Sequence, residues 1–372
     1  MKRIAPPFDI PPALRSWAEI NLSALRHNLA AVRSSIGPSP AILAVVKANA
    51  YGHGTAEVAR ALAPNIEIFG VANLPEAREV IAAGTGRDVM LLSPCLPAER
   101  PLTAGLIVTV SSAAEAAAFA ACGPVRLNFK IDTGMGRVGA WHDSALDEVG
   151  AIVGLPGVTL HSISTHLPSS DEDAGFTLGQ LEAFAALAAR IRAIVPGVRV
   201  HSLNSAGILA FPAHAADIVR AGLVLYGISP LPAIQDRFLP ALSWKARVTL
   251  VRNLPAGTGI SYGRTFLTSR PTRTAVLAAG YADGFPRQLA GRGTCILIGG
   301  RRHPVVGRVT MDQVVVDITD GGESIAAGDE AVLIGRQGDE EITAAELAAR
   351  ADTIPWEILT GIQDRVARIY AG

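Results

Sequence analysis

The chain has 372 residues, of which 49% are hydrophobic and 18% are charged, with 33 basic and 33 acidic side chains. This chain is longer than the chains that usually fold around one hydrophobic core. Its length and composition therefore predict a globular protein with about two or three domains. Because the formal net charge is zero, no basic or acidic field is available to recruit nucleic acid or an anionic membrane, and a small-molecule function is favoured.

The cysteines and the N-terminus predict a cytoplasmic protein. Cys95, Cys122 and Cys295 are far apart and have no metal-ligand spacing, so we expect neither a disulfide framework nor a metal site. Residues 1–12 include four prolines and lack the apolar segment of a signal peptide. No stretch is apolar over the length that would span a bilayer.

The first part of the chain alternates short apolar runs with helical segments. After an irregular arm at 1–16, the pattern predicts a strand at 17–22 and a helix from Ser23 to about residue 33. Further strands are predicted at 41–47, 66–72, 88–92, 106–110, 125–131, 159–165, 198–203 and 218–226. Helical crossovers between these strands imply parallel pairing. A closed (β/α)8 barrel of the TIM type is the economical α/β fold, and an open doubly wound sheet is the alternative.

The pattern changes near residue 240. Residues 243–334 show strand alternation and turns without long helical periods, which predicts a mostly antiparallel β-domain. Helical patterns follow at 343–350 and 356–370. The expected domains are therefore a barrel at 17–240 and a β-rich domain at 241–372, with the arm packed on the second domain.

Lys47 stands at the carboxyl end of the first predicted barrel strand. A lysine there cannot bury its ammonium without a partner, and partial desolvation would lower its pKa, as a Schiff-base lysine requires. A lone lysine would more simply extend to solvent. However, polar or glycine-rich groups also follow other strands, at 130–139, 164–166, 204–207 and 220–227. Because the working groups of a barrel lie at these strand ends, the rim is predicted to be a functional site.

Four segments, in their order and spacing, carry a family resemblance. They read Lys-Ala-Asn-Ala-Tyr-Gly-His-Gly at 47–54, Asp-Thr-Gly-Met-Gly-Arg-Val-Gly at 132–139, Gly-Tyr-Ala-Asp-Gly-Phe-Pro-Arg at 280–287 and Gly-Arg-Val-Thr-Met-Asp-Gln at 307–313. Over nearly its whole length the chain resembles the alanine racemases, fold-type III enzymes that use pyridoxal 5′-phosphate. The resemblance implies a two-base racemase that interconverts L-alanine and D-alanine.

The resemblance implies a cofactor site on the barrel rim. Lys47 would hold the cofactor, and Arg220 would face its pyridine nitrogen with His201 in support. Because an arginine stays protonated, it does not leave that nitrogen protonated as a carboxylate would, so the ring is a weaker electron sink and return of the proton to the substrate is favoured over transamination. The residues alone leave open a structural ion pair for Arg220 and a plain core position for His201.

The implied phosphate ligands are Tyr51, Ser205 and the amides of Gly222 and Leu223, groups that suit an anion. Trp356 stands where the family usually has a tyrosine that also reaches the phosphate. An indole N–H donates a hydrogen bond but does not accept one. Substrate breadth is therefore open, and a serine/alanine racemase is the alternative.

The second base is implied in the same way. Tyr262 matches the tyrosine that, in the family, reaches the site of the other subunit in a head-to-tail homodimer. A tyrosine with an ordinary pKa of about 10 is a poor base at neutral pH, so neighbouring cations must lower its pKa. His166, itself supported by Arg220, matches that neighbour.

Substrate contacts are also implied by the resemblance. Arg137 meets the substrate carboxylate from the barrel side and also hydrogen-bonds the cofactor, while Met311 and Asp312 meet that carboxylate from the partner subunit. Lys130 matches a lysine that is carbamylated in many members, where its negative charge orients the arginine. Without a modification or a nearby anion, Lys130 would repel Arg137.

Two other functions fit parts of this pattern. A barrel-type decarboxylase with the same cofactor would place an acidic residue, not Arg220, at the pyridine nitrogen. A non-catalytic carrier of the cofactor would need Lys47 but would have no use for Tyr262. We therefore favour the racemase, which would either supply D-alanine for peptidoglycan or catabolise it.

Overall fold

The structure is a computed structural model that describes residues 8–372. The predicted arm at 1–16 lies partly outside the described residues, and residues 8–15 form neither helix nor strand. Within the described range the α-helices are α1 (Leu22–Ile36), α2 (Lys47–Gly52), α3 (Thr55–Leu62), α4 (Leu74–Ala82), α5 (Ala113–Ala120), α6 (Ala145–Val153), α7 (Ala174–Ile194), α8 (Ser205–Ala210), α9 (Ala344–Ala351) and α10 (Pro355–Thr360).

The strands of the same residues follow in chain order. They are β1 (Ser16–Asn21), β2 (Ala41–Val45), β3 (Ile68–Val71), β4 (Asp88–Leu91), β5 (Ile107–Val110), β6 (Val125–Asp132), β7 (Ala140–Trp141), β8 (Val158–Ser164), β9 (Arg199–His201), β10 (Ile218–Ala221), β11 (Leu242–Leu254), β12 (Gly259–Ile260), β13 (Phe266–Leu267), β14 (Thr272–Leu277), β15 (Cys295–Ile298), β16 (Arg301–Pro304), β17 (Val314–Asp317), β18 (Glu330–Gln337), β19 (Glu340–Ile342) and β20 (Ala367–Ala371).

The chain divides into two compact units. The barrel unit comprises residues 24–50 and 55–239, and the β-unit comprises residues 8–23, 51–54 and 240–372. Among residues 8–372, every helix is too short or too polar to span a lipid bilayer.

The barrel unit is built on parallel strands that pair in the order β10-β2-β3-β4-β5-β6-β8-β9. The Asp217 amide donates to the Val200 carbonyl at 3.1 Å, and the Arg220 amide donates to the Leu203 carbonyl at 2.9 Å. These two bonds join the last strand to the β9 segment and bring the ring to closure. The predicted barrel is thus confirmed, and its strands are buried because both faces are covered.

The last barrel strand is shorter than predicted. The pattern suggested a strand at 218–226, but β10 ends at Ala221 and Leu223–Tyr226 form a 3₁₀-helix. Gly222 makes the change of direction with φ −118° and ψ −107°. An apolar run alone does not distinguish a strand from the buried helical turn that follows it.

The β-unit is a mostly antiparallel sheet, as predicted. Its main path is β16-β15-β18-β11-β1-β20, and β14 and β17 continue from β11. The strand at the predicted start of the barrel domain lies in this sheet, since β1 pairs with β11 and β20. The alternation of apolar and polar residues indicates that β1 is a strand, but it does not indicate which sheet the strand joins.

The helix predicted at 356–370 is wrong beyond residue 360. α10 ends at Thr360, and β20 follows in parallel register with β1. A short stretch such as Ala-Arg-Ile-Tyr-Ala fits the hydrophobic period of a helix as well as that of a strand. Pairing with a neighbouring strand decides which of the two forms.

An ion cluster ties three adjacent strands of the β-unit together. Lys245 Nζ on β11 lies 2.9 Å from Glu19 Oε1 on β1 and 3.0 Å from Glu330 Oε1 on β18. Trp17 Nε1 donates to the same Glu19 oxygen at 3.0 Å. The Lys245 and Glu19 side chains are only 15% and 10% exposed, so removing the lysine would leave a buried carboxylate without its counter-charge.

We expect Lys245→Met to lower the free energy of unfolding by about 3–5 kcal/mol, because Glu19 loses its buried partner. Urea denaturation measures the change. Arg270→Met is the control, since it removes an exposed ion pair with Asp320 and should leave stability nearly unchanged. If the two variants lost equal free energies of unfolding, the buried ion cluster would stabilise the protein no more than the exposed ion pair does.

Candidate active site

The chain leaves β2 through a left-handed helical turn, α2. Residues 48–51 have φ between 49° and 54°, and the Ala50 amide donates to the Val46 carbonyl at 2.9 Å. A left-handed turn costs about 1–2 kcal/mol per non-glycine residue, because Cβ approaches the following carbonyl. Strain of this kind persists only where its surroundings enforce it, and it is commonest at functional sites.

Glu76 holds this turn in place. Its Oε1 accepts from the Ala48 amide at 2.8 Å, and its Oε2 accepts from the Ala72 amide at 2.7 Å. The sequence prediction did not include Glu76. The available signal was the capping pattern Asn73-Leu-Pro-Glu at the start of α4, in which Asn73 caps the helix.

Lys47 begins the turn, and its pKa lies below the ordinary value of a lysine. Burial lowers the pKa of Lys47, the positive charge of Arg137 lowers it further, and the negative charge of Glu76 partly opposes both. A lower pKa increases the fraction of neutral amine, which is the nucleophilic form.

The loop after β6 presents Arg137. Asp132 accepts from the amides of Gly134, Met135 and Arg137 at 2.8, 2.8 and 3.1 Å. Burial acts to raise the pKa of Asp132, but these backbone bonds outweigh it and keep the carboxylate ionised. The Arg137 side chain is exposed and hydrogen-bonds to none of the described residues, so its guanidinium is available to a ligand.

Lys130 lies on β6 among cations. Burial, followed by the charges of Arg220 and Arg137, holds the pKa of Lys130 well below its ordinary value, and Asp132 only partly opposes this. No carboxylate among residues 8–372 forms an ion pair with Lys130. This shift favours the neutral amine, and the surrounding cations would favour a negative charge at this position.

The Arg220 side chain is held from two strand ends. Its Nη1 donates to Nδ1 and to the backbone carbonyl of His201 at 3.0 and 3.1 Å. Its Nη2 donates to the Thr165 and Ser202 carbonyls, both at 2.8 Å, and lies 3.3 Å from Nδ1 of His166. Only the Nε–H lacks a partner in the described part of the chain. Burial lowers the pKa of Arg220 to about 10, so the side chain remains a cation at neutral pH.

Both histidines beside Arg220 are neutral. Burial, and then the neighbouring cations led by Arg220, lower the pKa of His166 to about 2. The same two causes hold the pKa of His201 well below its ordinary value. Because Arg220 presents N–H groups to Nδ1 of each ring, each ring carries its proton on Nε2. The expectation that His166 supplies a positive charge is therefore wrong, because burial and the nearby cations keep the ring neutral, and it can act only as a neutral hydrogen-bond donor.

Ser205 and the segment after β10 form an anion cradle. The Ser205 Oγ accepts from the amides of Gly222 and Val224 at 3.0 and 3.4 Å, which leaves its own hydroxyl proton to donate. The Leu223 amide between them donates to no residue that the structure describes. An anion placed here would receive a hydroxyl and a backbone N–H together.

Tyr262 lies in the β-unit on a strained turn. Its side chain is 71% exposed, which is far more than a core tyrosine shows. The flanking residues Ser261 and Arg264 have φ of 61° and 49°, and Ser261 Oγ donates to the Arg308 carbonyl at 2.6 Å. The turn thus projects a phenol outward on a fixed backbone.

Met311 and Asp312 are exposed on the loop before β17 of the β-unit. Arg365 binds Asp312 Oδ1 at 2.7 Å and Asp283 Oδ1 at 2.8 Å. The sequence prediction did not include Arg365. Its pairing with two carboxylates fixes the loop that carries the predicted substrate residues.

Tyr51 and Trp356 also belong to the β-unit. Tyr51 is buried, and burial raises the pKa of Tyr51 to about 12, so its hydroxyl remains protonated and can donate to an anion. Trp356 on α10 is half-buried, and its indole N–H donates to no described residue.

The barrel unit brings several of the predicted site residues together. The pKa of His166 is lowered by the charges of Arg220, Lys130, Arg137 and Lys47, so these five residues lie within electrostatic range of one another.

Comparisons with known proteins agree with this arrangement. Residues 20–230 match the family description "Alanine racemase, N-terminal domain", and residues 241–370 match "Alanine racemase, C-terminal domain". The chain belongs to the alanine racemase family.

Individual family members are similar over almost the full length. An alanine racemase from Symbiobacterium thermophilum is 42% identical, over 98% of this chain and 99% of its own. The solved alanine racemase of Clostridium difficile matches with a TM-score of 0.90 and 31% identity, covering 98% of this chain and 97% of its own. The alanine racemase of Bartonella henselae, solved with covalently bound pyridoxal phosphate, matches with a TM-score of 0.86 and 28% identity, covering 96% and 99%.

We expect Ala48→Gly to raise the free energy of unfolding by about 0.5–1 kcal/mol. Relief of left-handed strain, about 1–2 kcal/mol, exceeds the extra entropy that glycine gives to the unfolded chain. The matched control is Ala117→Gly, an exposed alanine inside the right-handed α5, which should lose about 1 kcal/mol. Urea denaturation of both variants measures the difference, and changes of the same sign would contradict the left-handed turn.

Proposed function

We propose that the protein is a pyridoxal 5′-phosphate-dependent alanine racemase that interconverts L-alanine and D-alanine with two bases. The observation that carries this proposal is Arg220, a buried cation whose Nη groups are all engaged while one Nε–H remains for the ring nitrogen of a cofactor. Membership of the alanine racemase family supports the same reaction.

The barrel rim fits each part of the cofactor. The Ser205 hydroxyl and the Leu223 amide suit a phosphate, the Arg220 Nε–H suits the ring nitrogen, and the Lys47 amine suits an aldehyde. When bound, pyridoxal 5′-phosphate supplies the aldehyde that captures the amino group and the conjugated ring that spreads the charge left on the α-carbon. Tyr51 and Trp356 stay predicted ligands at the phosphate.

We assign one base to each face of the substrate. Lys47 Nζ takes or returns the α-proton on one face, and the partner subunit's Tyr262 does so on the other. The neutral His166 is assigned to donate its Nε2–H to that phenol oxygen. Because Arg220 keeps its own proton, it does not leave the ring nitrogen protonated, and the ring would be a weaker electron sink. Negative charge would then stay on the substrate α-carbon, and the proton would return to that carbon.

The substrate carboxylate completes the assignment. Arg137 provides a guanidinium that has no partner within residues 8–372, and the partner subunit's Met311 and Asp312 are proposed to border the other side. This arrangement requires a head-to-tail homodimer. The exposure of Tyr262 supports it, because an outward phenol on a rigid turn is available to another chain. The predicted cytoplasmic location and the choice between D-alanine supply and catabolism stay predictions, as does the serine/alanine alternative raised by Trp356.

Removing either base should lower racemisation by about 10²–10⁴-fold. In deuterated water, Tyr262→Phe should still exchange the α-hydrogen of one alanine enantiomer, because Lys47 continues to serve one face. Lys47→Ala should lose that exchange. NMR of each pure enantiomer incubated with each variant measures the result, and wild-type racemisation by Lys47→Ala would refute the proposal.

Mixing the two variants tests the action between subunits. In a mixed dimer, one site combines an intact Lys47 with the partner's intact Tyr262, so random pairing should restore about a quarter of the wild-type sites. If Tyr262 served its own subunit, no site would be intact. A mixture that exchanges subunits but stays inactive would therefore exclude the dimeric assignment while leaving the reaction itself in place.

We also propose that Lys130 adds carbon dioxide. Its neutral amine would form a carbamate with release of one proton, and the new negative charge would pair with Arg137 and Arg220. We expect a carbamate signal in ¹³C NMR of protein equilibrated with ¹³C-bicarbonate, and its absence from Lys130→Ala. Lys130→Glu, which keeps a negative charge, should retain more activity than the alanine variant. A fully active wild type without the signal would overturn this assignment.

A further inference from the structure

A chain of hydrogen bonds crosses the interior of the barrel unit and ends at Arg220. Thr109, Asn128 and Ser162 stand opposite one another in register on β5, β6 and β8, and each is at most 2% exposed. Bulky apolar side chains usually fill such positions in a barrel. Buried polar groups are tolerated there only when they are hydrogen-bonded.

The links of this chain are short and continuous. His201 Nε2 lies 3.0 Å from Asn128 Oδ1, and Asn128 Nδ2 lies 3.0 Å from Thr109 Oγ1. Thr109 Oγ1 in turn donates to the Leu91 carbonyl at 2.7 Å. Ser162 Oγ donates to the same Asn128 oxygen at 3.1 Å.

The two ends of the chain fix its direction. Arg220 has only N–H groups, so His201 Nδ1 must accept and His201 Nε2 must carry the proton. That proton is donated to Asn128 Oδ1, which sets the orientation of the amide. The Leu91 carbonyl can only accept, so the Thr109 hydroxyl donates to it and accepts from Asn128 Nδ2. All links therefore agree on one neutral tautomer of His201.

We propose that Asn128 is a positioning residue for racemisation, which holds His201 as the neutral Nε2–H tautomer and thereby holds Arg220 with its Nε–H unengaged. The proposal rests on the proposed function, in which that N–H faces the cofactor ring. Thr109 and Ser162 orient the Asn128 amide. A carboxylate at 128 would favour a doubly protonated His201, whose Nδ1–H would oppose the Arg220 N–H and displace the guanidinium.

The direct test is ¹⁵N NMR of the histidine side chains in the full-length protein, with cofactor and after its removal. Wild-type His201 should be protonated on Nε2 alone. Asn128→Asp should shift His201 towards the doubly protonated form, and Thr109→Val should produce a tautomer mixture, because the Asn128 amide loses its acceptor and can rotate. A wild-type His201 protonated on Nδ1 would overturn the proposal.

Asn28→Asp is the matched control for this test. Asn28 is also buried in the barrel unit, and its Nδ2 donates to the Leu225 and Leu239 carbonyls at 3.0 and 2.8 Å. The same chemical change there should leave the His201 signals unaltered, whatever it does to stability. A His201 shift of equal size in this variant would count against a specific role for Asn128.

The kinetic test separates positioning from general destabilisation. Asn128→Asp should lower kcat tenfold or more, about 1.4 kcal/mol in the barrier, with a smaller change in KM and an altered cofactor absorption band. Thr109→Val and Ser162→Ala nearly conserve volume and should show the same trend if the asparagine variant fails to fold. Wild-type kcat and unchanged His201 signals in these variants would refute the proposal. A wild type that does not racemise alanine would instead refute the proposed function, and the NMR test would still stand.

Discussion

The site depends on the hydrogen bonding of one buried guanidinium. Arg220 lies in an apolar strand of the barrel unit, where a charged group without hydrogen-bond partners would be too costly to keep. Its Nη groups donate to the Thr165 and Ser202 carbonyls, which directly follow β8 and β9, and to the carbonyl and Nδ1 of His201, the last residue of β9. Carbonyls and neutral rings satisfy its N–H groups without neutralising its charge. The consequence is a cation with a single N–H that has no partner among residues 8–372, and its charge influences the protonation of the neighbouring groups.

The change in protonation of these groups follows from an excess of positive charge. The charge of Arg137 lowers the pKa of Lys47, and the charges of Arg220 and Arg137 lower the pKa of Lys130, while few carboxylates offset them. The lysines therefore tend towards neutral amines, and the histidines stay neutral as donors. Such a site is incomplete without anions. A phosphate, a substrate carboxylate and a carbamate would each supply negative charge where the chain itself provides little.

Much of the fold and of the candidate site could be predicted from the sequence, but the parts that depend on the register between strands could not. Apolar runs located the barrel strands, and short motifs located Lys47 and Arg137, because both signals are local along the chain. The left-handed turn was missed, since alanine and asparagine in positive φ leave no compositional trace. The sheet of β1 and the strand β20 were missed because pairing partners lie hundreds of residues apart in sequence. The hydrogen-bond chain through Asn128 was missed because it depends on which residues stand opposite one another on adjacent strands, and the sequence pattern does not give that register.

The parallel pairing of β1 with β20 has a consequence during synthesis. Every strand of the barrel has been translated once residue 221 is reached, so that unit can begin to fold on the ribosome. The other sheet must hold its N-terminal strand unpaired on one side until residues 367–371 emerge. Nascent chains therefore spend most of translation with one edge of the strand that contains Trp17 unpaired, so this sheet is completed only at the end of synthesis.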